Sequence, residues 1–178
     1  AHGNALVNQS VDIRIGGACS RNFPQKSFVI NPENKFGSNR IQYPFFPGKK
    51  KVNEFGGLFL RNSGNDFFST MFRDPFIQSL GIGEMDFDYM AYQPAVFYLN
   101  GEYWGIQNLR EKIDGNFIES NYGIDKNDID LIETYENAIE GSASAWQSYK
   151  STLQSLNPND PNTFDFINDH IDVQEYIN

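Results

Sequence analysis

The chain has 178 residues, of which 39% are hydrophobic, 21% are charged and 15% are aromatic. Its net charge of -9 argues against a general nucleic-acid-binding protein, because neutralising phosphates requires a basic surface. No apolar run approaches the ~18 residues that a membrane-spanning helix needs, so we predict no membrane span. Length and composition indicate one globular domain over residues 1–178.

The charge is distributed unevenly along the chain. Residues 1–61 carry nine Lys or Arg against three Asp or Glu, whereas the remaining residues carry five against twenty. This asymmetry favours two interpretations equally. Either the first third faces an anionic ligand, or two patches of one folded surface attract each other.

The N-terminal segment predicts a hairpin. Apolar and polar residues alternate over 11–15, which is typical of a half-buried strand, and a second strand is predicted at 26–30. The small and polar residues 16–24 form a long connection between them. The segment from 31 to 51 is predicted to be a loop, because it is punctuated by Gly, Pro and Asn. We expect three aromatic residues to fix this loop, namely Tyr43, Phe45 and Phe46.

A short buried strand is predicted at 58–60, followed by a helix. Asp66 has the chemistry of a helix N-cap, and Gly81 is suited to the left-handed end of a helix. Pro75 lies inside the helical pattern and predicts a kink or two short helices, since proline lacks an N–H donor. The apolar residues at helical spacing, which we expect to fill the interior, are Phe68, Met71, Phe72, Phe76 and Leu80.

The dipeptide Asn100-Gly101 predicts a second hairpin, with strands at 95–99 and 103–109. A type I′ turn needs positive φ at both central residues, and Asn and Gly tolerate it best. Gly105 indicates a β-bulge in the second of these strands.

The rest of the chain predicts helices. Asp114 is expected to cap a helix that ends near Tyr122, and further helices are predicted at 142–156 and around 164–171. Strands and hairpins thus precede helices, which predicts an α+β fold with an antiparallel sheet built from hairpins and helices packed on it. Because one more amphipathic helix begins at Val173, we expect the domain to continue beyond Asn178.

Nucleophilic catalysis that depends on histidine is not indicated. The two histidines, His2 and His170, lie in no pattern with Ser or Cys that marks a catalytic base. A lone Cys19 excludes an internal disulfide and a zinc site of paired cysteines. Its position near Arg21 is compatible with a reactive thiol, but a small neutral filler is the favoured interpretation.

The segment 14–26 has the chemistry of a phosphate site. A glycine turn, a hydroxyl, two arginines and a lysine surround one hairpin, and flexible backbone amides with fixed positive charges suit a polyphosphate. The spacing is not that of a Walker A loop, and its logic is closer to the glycine-rich hairpin of protein kinases. On this chemistry alone, an ordinary solvated hairpin is the favoured alternative.

The high aromatic content leaves two interpretations, a carbohydrate groove or interior packing. Exposure of Tyr103 and Trp104 at the second hairpin would support the first. Most aromatic residues lie at periodic positions that are typical of a core, which favours the second.

Three motifs in order resemble the CotH kinase family, whose members are similar to spore coat protein H. They are VDIRIGGACSRNFPQKSFVI, GLFLRNSGNDFFSTMFRDPFIQSLG and PAVFYLNGEYWGIQNLREKIDGNFIESNYG. The resemblance implies a secreted or cell-surface bacterial protein with an atypical kinase-like fold. It also implies that the protein binds ATP with Mg²⁺ or Mn²⁺ and phosphorylates a protein acceptor.

The resemblance further implies residue roles. Lys26 matches the family lysine of the second strand and would bind ATP phosphates, with help from Arg14, Ser20 and Arg21. Glu111 in the LREKID motif would orient that lysine or contact the nucleotide.

The sequence also departs from the family pattern. Gly16 stands where many members carry Arg, and Cys19 stands where they carry Ser, which removes one cation and one hydroxyl. Arg73 and Asp74 match the family's Arg-Asp pair, for which we expect a structural ion pair.

The family's catalytic aspartate and its Trp-Asp-x-Asp metal-binding stretch do not occur in these 178 residues. We therefore predict no catalytic residue and no metal ligand in this chain, which alone should be inert. The alternative functions are a non-catalytic surface structural module and a carbohydrate-binding module, each with a degenerate kinase-like fold. An incomplete core would expose apolar surface and favour oligomers.

Overall fold

A computed structural model describes residues 6–49 and 51–177. His2 lies outside these residues. The fold is α+β with antiparallel sheets, which confirms the predicted class. The described chain divides into two compact units. One comprises the chain up to Leu80 with Tyr89–Lys126, and the other comprises Gly81–Asp88 with the chain from Asn127 onward.

A five-stranded antiparallel sheet dominates the first unit. The strands of this unit are β1 (Asp12–Gly16), β2 (Ser27–Asn31), β3 (Ile41–Gln42), β4 (Glu54–Phe55), β5 (Leu58–Arg61), β6 (Tyr92–Leu99) and β7 (Glu102–Glu111). The large sheet has the order β1-β2-β5-β7-β6, and β3 pairs with β4 in a separate short ribbon. Helix α1 (Arg73–Gly81) follows β5, and helix α2 (Gly115–Tyr122) follows β7.

The apolar core lies on one face of this sheet. Successive side chains of a strand point to opposite faces, so Leu58 and Leu60 enter the core while Phe59 and Arg61 lie on the other face. Phe46 is 1% exposed and packs in this core, which confirms the predicted anchoring of the loop before β4. The buried core residues are Phe28, Ile41, Phe46, Val52, Phe55, Leu58, Leu60, Ala91 and Leu109.

The second hairpin, β6 with β7, is as predicted. Asn100 and Gly101 have φ of 53° and 83°, the positive values that the turn requires. The predicted bulge is also present, since Gly105 has φ of 98° and the register shifts between Phe97 and Tyr98.

Helix α2 is likewise confirmed. The side chain of Asp114 accepts hydrogen bonds from the amides of Asn116 and Phe117, and Gly123 ends the helix with φ of 72°. These local signals fix where the chain turns after β7.

The segment around α1 is only partly as predicted. Asp66 lies in the preceding 3₁₀ turn and not at the N-cap of α1, and Gly81 lies within α1 without a positive φ. As Pro75 predicted, the helical residues are split, because a 3₁₀ turn at Gly64–Asp66 precedes α1, which begins at Arg73. The expected burial of the apolar stripe is wrong. Phe68, Phe72, Phe76 and Leu80 are 76%, 48%, 50% and 64% exposed. The side of α1 that bonds to the sheet carries polar residues instead.

The second unit contains a short ribbon and three helices. These are β8 (Leu131–Glu133), β9 (Asn137–Glu140), α3 (Ser144–Ser155), α4 (Pro161–His170) and α5 (Val173–Ile177). Tyr149 of α3 stacks on Phe166 of α4 with ring centroids 5.6 Å apart. In the described part of the chain, no helix is long and apolar enough to cross a membrane.

Candidate functional site

Strand β5 is the third strand of the large sheet in chain order. It ends in an arginine that forms an ion pair with helix α1. Arg61 is the last residue of β5 and lies on the face opposite the core. Its Nη1 donates to Oδ2 of Asp74, in the first turn of α1, at 2.6 Å. The two side chains are 30% and 39% exposed, so this ion pair reaches solvent.

A second arginine binds the same carboxylate oxygen from the inside. Nη1 of Arg110, in β7, donates to Oδ2 of Asp74 at 2.6 Å, and Arg110 itself is 0% exposed. Burial lowers the pKa of the Arg110 guanidinium below its ordinary value, while the charge of Asp74 opposes the shift. An arginine stays protonated in proteins even so, and the carboxylate therefore has two cationic partners.

Arg61, Asp74 and Arg110 form a cluster with one excess positive charge, because two guanidinium groups share one carboxylate. We call these three residues the arginine cluster. Beside the cluster lies a cavity of about 10 Å³, which has room for about one water molecule. The three residues of the cluster and Asn108 are among those that line it. A partly exposed guanidinium with excess charge has the chemistry that binds phosphate or carboxylate groups.

Asn62 joins the β1–β2 hairpin to the end of β5. This side chain is 0% exposed. Its Oδ1 accepts from Oγ of Ser27 at 2.8 Å, and its Nδ2 donates to the carbonyl of Gln25 at 2.7 Å. Because Asn62 directly follows Arg61, these bonds fix the position of Arg61 relative to the base of the hairpin.

The predicted site residues of the hairpin turn are accessible. Arg14 and Arg21 are exposed, and Ser20 is half-buried beneath Gly17, where a Cβ would overlap Oγ of Ser20. In the strand ladder Arg14 lies opposite Val29, which lies opposite Phe59. Arg14 is therefore on the same sheet face as the arginine cluster.

Lys26 makes contacts inside the hairpin. Its Nζ donates to the carbonyls of Arg21 at 2.8 Å and of Phe23 at 2.7 Å. In this arrangement the ammonium braces the turn that carries Ser20 and Arg21.

Glu111 is joined to a different lysine from the one the family resemblance suggested. Its Oε2 accepts from Nζ of Lys49 at 2.8 Å and from the amide of Ala91 at 2.9 Å. The ammonium of Lys49 also lies 4.5 Å and 4.6 Å from the ring centroids of Tyr89 and Phe117. Glu111 pairs with Leu58 in the ladder, so it faces the core and not the arginine cluster.

Arg61 and Arg110 are not among the site residues predicted from sequence. The expected pairing of Arg73 with Asp74 is also replaced, because Asp74 binds the two arginines and Arg73 binds Asp66 at 3.1 Å. A signal does exist for Arg61, since it ends the apolar strand pattern LFLR. A charge at such a position needs a partner, and Asp74 is the acid that the fold provides.

Over residues 6–49 and 51–177, no group of three or more His, Cys, Asp or Glu side chains is placed to hold a metal ion.

The fold and the site define an α+β protein with an antiparallel sheet and a cationic cluster on the face opposite its core. The family model described as CotH kinase protein matches residues 13–178. The chain belongs to the CotH kinase family. Comparison with curated proteins gives no match.

Proposed function

We propose that this chain supplies the phosphate-binding part of an ATP-dependent protein kinase of the CotH family. The observation that carries the proposal is the ion pair between Arg61 on the third sheet strand and Asp74 on the following helix. Protein kinases place a phosphate-binding lysine on their third strand and pair it with a glutamate on the next helix. Arg61 and Asp74 correspond to these two residues in position and in charge.

An arginine suits this role. Its planar fork stays charged and donates two parallel hydrogen bonds to a phosphate, whereas a lysine acts as a point charge. Only Nη1 of Arg61 is bonded to Asp74, so its remaining N–H groups are available to a phosphate oxygen.

The β1–β2 hairpin adds further groups, of which Arg14 lies on the same sheet face as the arginine cluster. Arg14 and Arg21 supply two exposed cations and Ser20 supplies a hydroxyl, while Lys26 holds the turn and has one N–H left for a phosphate. Glu111 bonds to Lys49 on the core face and is not part of this donor set. This donor set has the chemistry to bind an ATP triphosphate, and the Mg²⁺ or Mn²⁺ that accompanies ATP would neutralise phosphate charge.

Three further parts of the proposal rest on family membership. The phosphoacceptor is a protein, the setting is the bacterial cell surface or exterior, and the chain is the N-terminal part of a longer CotH-like domain.

The proposal is tested by calorimetric titration of the 178-residue chain with ATP and MgCl₂. We expect saturable binding that Arg61→Gln weakens at least about tenfold, since a hydrogen bond to a charged group contributes about 1.5–3 kcal/mol. The matched control is Lys35→Gln, which removes an exposed cation that is bonded to Glu33. No binding by the wild type, or an equal loss in both variants, contradicts the proposal.

The same titration with Lys26→Gln separates two roles for Lys26. If Lys26 binds phosphate, Lys26→Gln should lose affinity for ATP by about the same factor as Arg61→Gln. If Lys26 only stabilises the turn, Lys26→Gln should instead lower the unfolding midpoint and leave the affinity for ATP within about twofold of the wild-type value.

A carbohydrate-binding function is the second candidate. It is favoured by Tyr98 and Tyr103, each 60% exposed, whose ring centroids lie 5.6 Å apart on the β6–β7 hairpin. Trp104 is not part of this surface, because it packs against Phe28 in the core. Pull-down on insoluble polysaccharides tests this function, with retention expected for the wild type and lost in the Tyr98→Ala, Tyr103→Ala double variant.

A further inference from the structure

Helix α1 is attached to the sheet by polar side chains. Its residues Phe76, Ile77 and Leu80 are 50%, 59% and 64% exposed, so they bury little apolar surface. Asp74 and Gln78, one turn apart, point the other way and bond to the sheet. This is the reverse of an ordinary amphipathic helix, whose apolar stripe faces the core. Pro75 is the buried apolar residue of this helix, and beyond it the position of α1 depends on what its two polar residues bind.

Asp74 and Gln78 both bind Arg110. Its Nη1 donates to Oδ2 of Asp74 at 2.6 Å, and its Nη2 donates to Oε1 of Gln78 at 2.8 Å. On the sheet side, Nη2 and Nε donate to the carbonyls of Met90 and Ala91 at 2.9 Å and 3.2 Å. One buried guanidinium thus joins two residues of α1 to the chain that enters β6.

A second contact reinforces this attachment. The amide of Met90 donates to Oε1 of Gln78 at 3.0 Å, and Nε2 of Gln78 donates to Oδ1 of Asp74 at 3.0 Å. The carboxylate of Asp74 consequently keeps two partners, Arg110 and Gln78, whatever Arg61 binds. If a phosphate draws Arg61 toward itself, no buried charge is left without a partner, which is the costly outcome for an ion pair.

We propose that Arg110 is a positioning residue that locks α1 against the sheet, so that Asp74 presents Arg61 in its phosphate-binding orientation before any ligand arrives. The part of this inference that concerns phosphate rests on the proposed function. The locking of α1 stands on the contacts of Arg110 alone. The consequence is a preformed site, in which no separate movement of the helix has to switch on nucleotide binding.

The test is hydrogen exchange of the α1 amides, measured by mass spectrometry on the 178-residue chain with and without MgATP. Two variants weaken the lock. Arg110→Lys keeps a cation but removes the planar guanidinium that bonds to both Asp74 and Gln78. Gln78→Met removes only the side-chain amide of Gln78, with its acceptor Oε1 and its donor Nε2. Ile77→Gln is the matched control, since Ile77 is an exposed residue of the same helix.

We expect the wild-type α1 to be protected without ATP, and its exchange to change by less than about twofold when ATP is added. Both lock variants should exchange about tenfold faster over residues 73–81, while β2 and β5 keep wild-type rates. By linkage, saturating MgATP should slow α1 exchange in the variants more than in the wild type, which a merely structural role would not produce.

Wild-type exchange over 73–81 as fast as in an exposed turn would overturn the inference, and so would unchanged exchange in Gln78→Met. If Arg110→Lys does not fold, Gln78→Met alone decides the question. Failure of the wild type to bind ATP would refute the proposed function, whereas the comparison without ATP would still decide whether Arg110 locks α1.

Discussion

Replacing Lys49 by methionine tests the role of the buried ion pair beneath the sheet. The side chains of Lys49 and Glu111 are 13% and 3% exposed, so the pair is shielded from water. Lys49→Met keeps the hydrophobic stem and removes the ammonium. Glu111 then retains only the amide of Ala91 and, at 3.3 Å, Nδ2 of Asn121.

The expected loss follows from these contacts. Breaking a buried ion pair by removing one partner costs about 3–5 kcal/mol. Because Glu111 keeps two hydrogen bonds, we expect the lower end, about 3 kcal/mol of unfolding free energy. For a chain of this length, that corresponds to a fall in Tm of roughly 6–12 °C.

Urea unfolding followed by circular dichroism measures this loss. Lys51→Met is the matched control, because Lys51 is an exposed lysine of the same loop. Adding Glu111→Gln to Lys49→Met should recover part of the loss, since it removes the uncompensated charge. A Lys49→Met variant no less stable than Lys51→Met would refute the reasoning.

Two further predictions concern Asp66 and Gly16. The pKa of Asp66 is lowered to about 2 from the ordinary 3.8, mainly because its carboxylate accepts a hydrogen bond from the hydroxyl of Thr70. The ionised Asp66 therefore stabilises the fold above about pH 4, and this contribution is lost as the pH falls toward 2. In urea unfolding between pH 2 and 7, Asp66→Asn should therefore be less stable than the wild type above pH 4 and converge with it near pH 2, and a constant difference would contradict this. A Cβ on Gly16 would lie 2.5 Å from Cε2 of Phe59, so Gly16→Ala should cost about 1–3 kcal/mol, with Gly48→Ala as a control that meets no atom within 4 Å. Phe59→Leu should relieve part of that cost, and an additive double variant would show that the ring is not what the Cβ meets.

Local features of the fold could be predicted from sequence because neighbouring residues determine them. The turn at Asn100-Gly101 needs only two residues that accept positive φ, and Asp114 needs only the amides of the next turn. The ribbons β3–β4 and β8–β9 could not be predicted, because none of their short strands has three consecutive apolar residues such as those that marked β5.

The arginine cluster could not be predicted, because it depends on contacts between distant segments. Asp74 lies 13 residues from Arg61 and 36 from Arg110 in the chain, and only the strand order brings them together. The same contacts explain the wrong prediction for α1. Helical spacing indicated an inward apolar stripe, but a buried arginine requires a carboxylate partner, and that requirement turns the polar side of the helix inward.

The gain in affinity from adenosine to ATP tests the central claim most directly. Both ligands carry the same base and sugar, so the ratio of their Kd values isolates what the phosphates contribute. If Arg61 binds a phosphate, the ratio should be large for the wild type, fall at least about tenfold in Arg61→Gln, and stay unchanged in Lys35→Gln. An equal ratio in the wild type and Arg61→Gln would show that Arg61 does not bind phosphate, and would contradict the account.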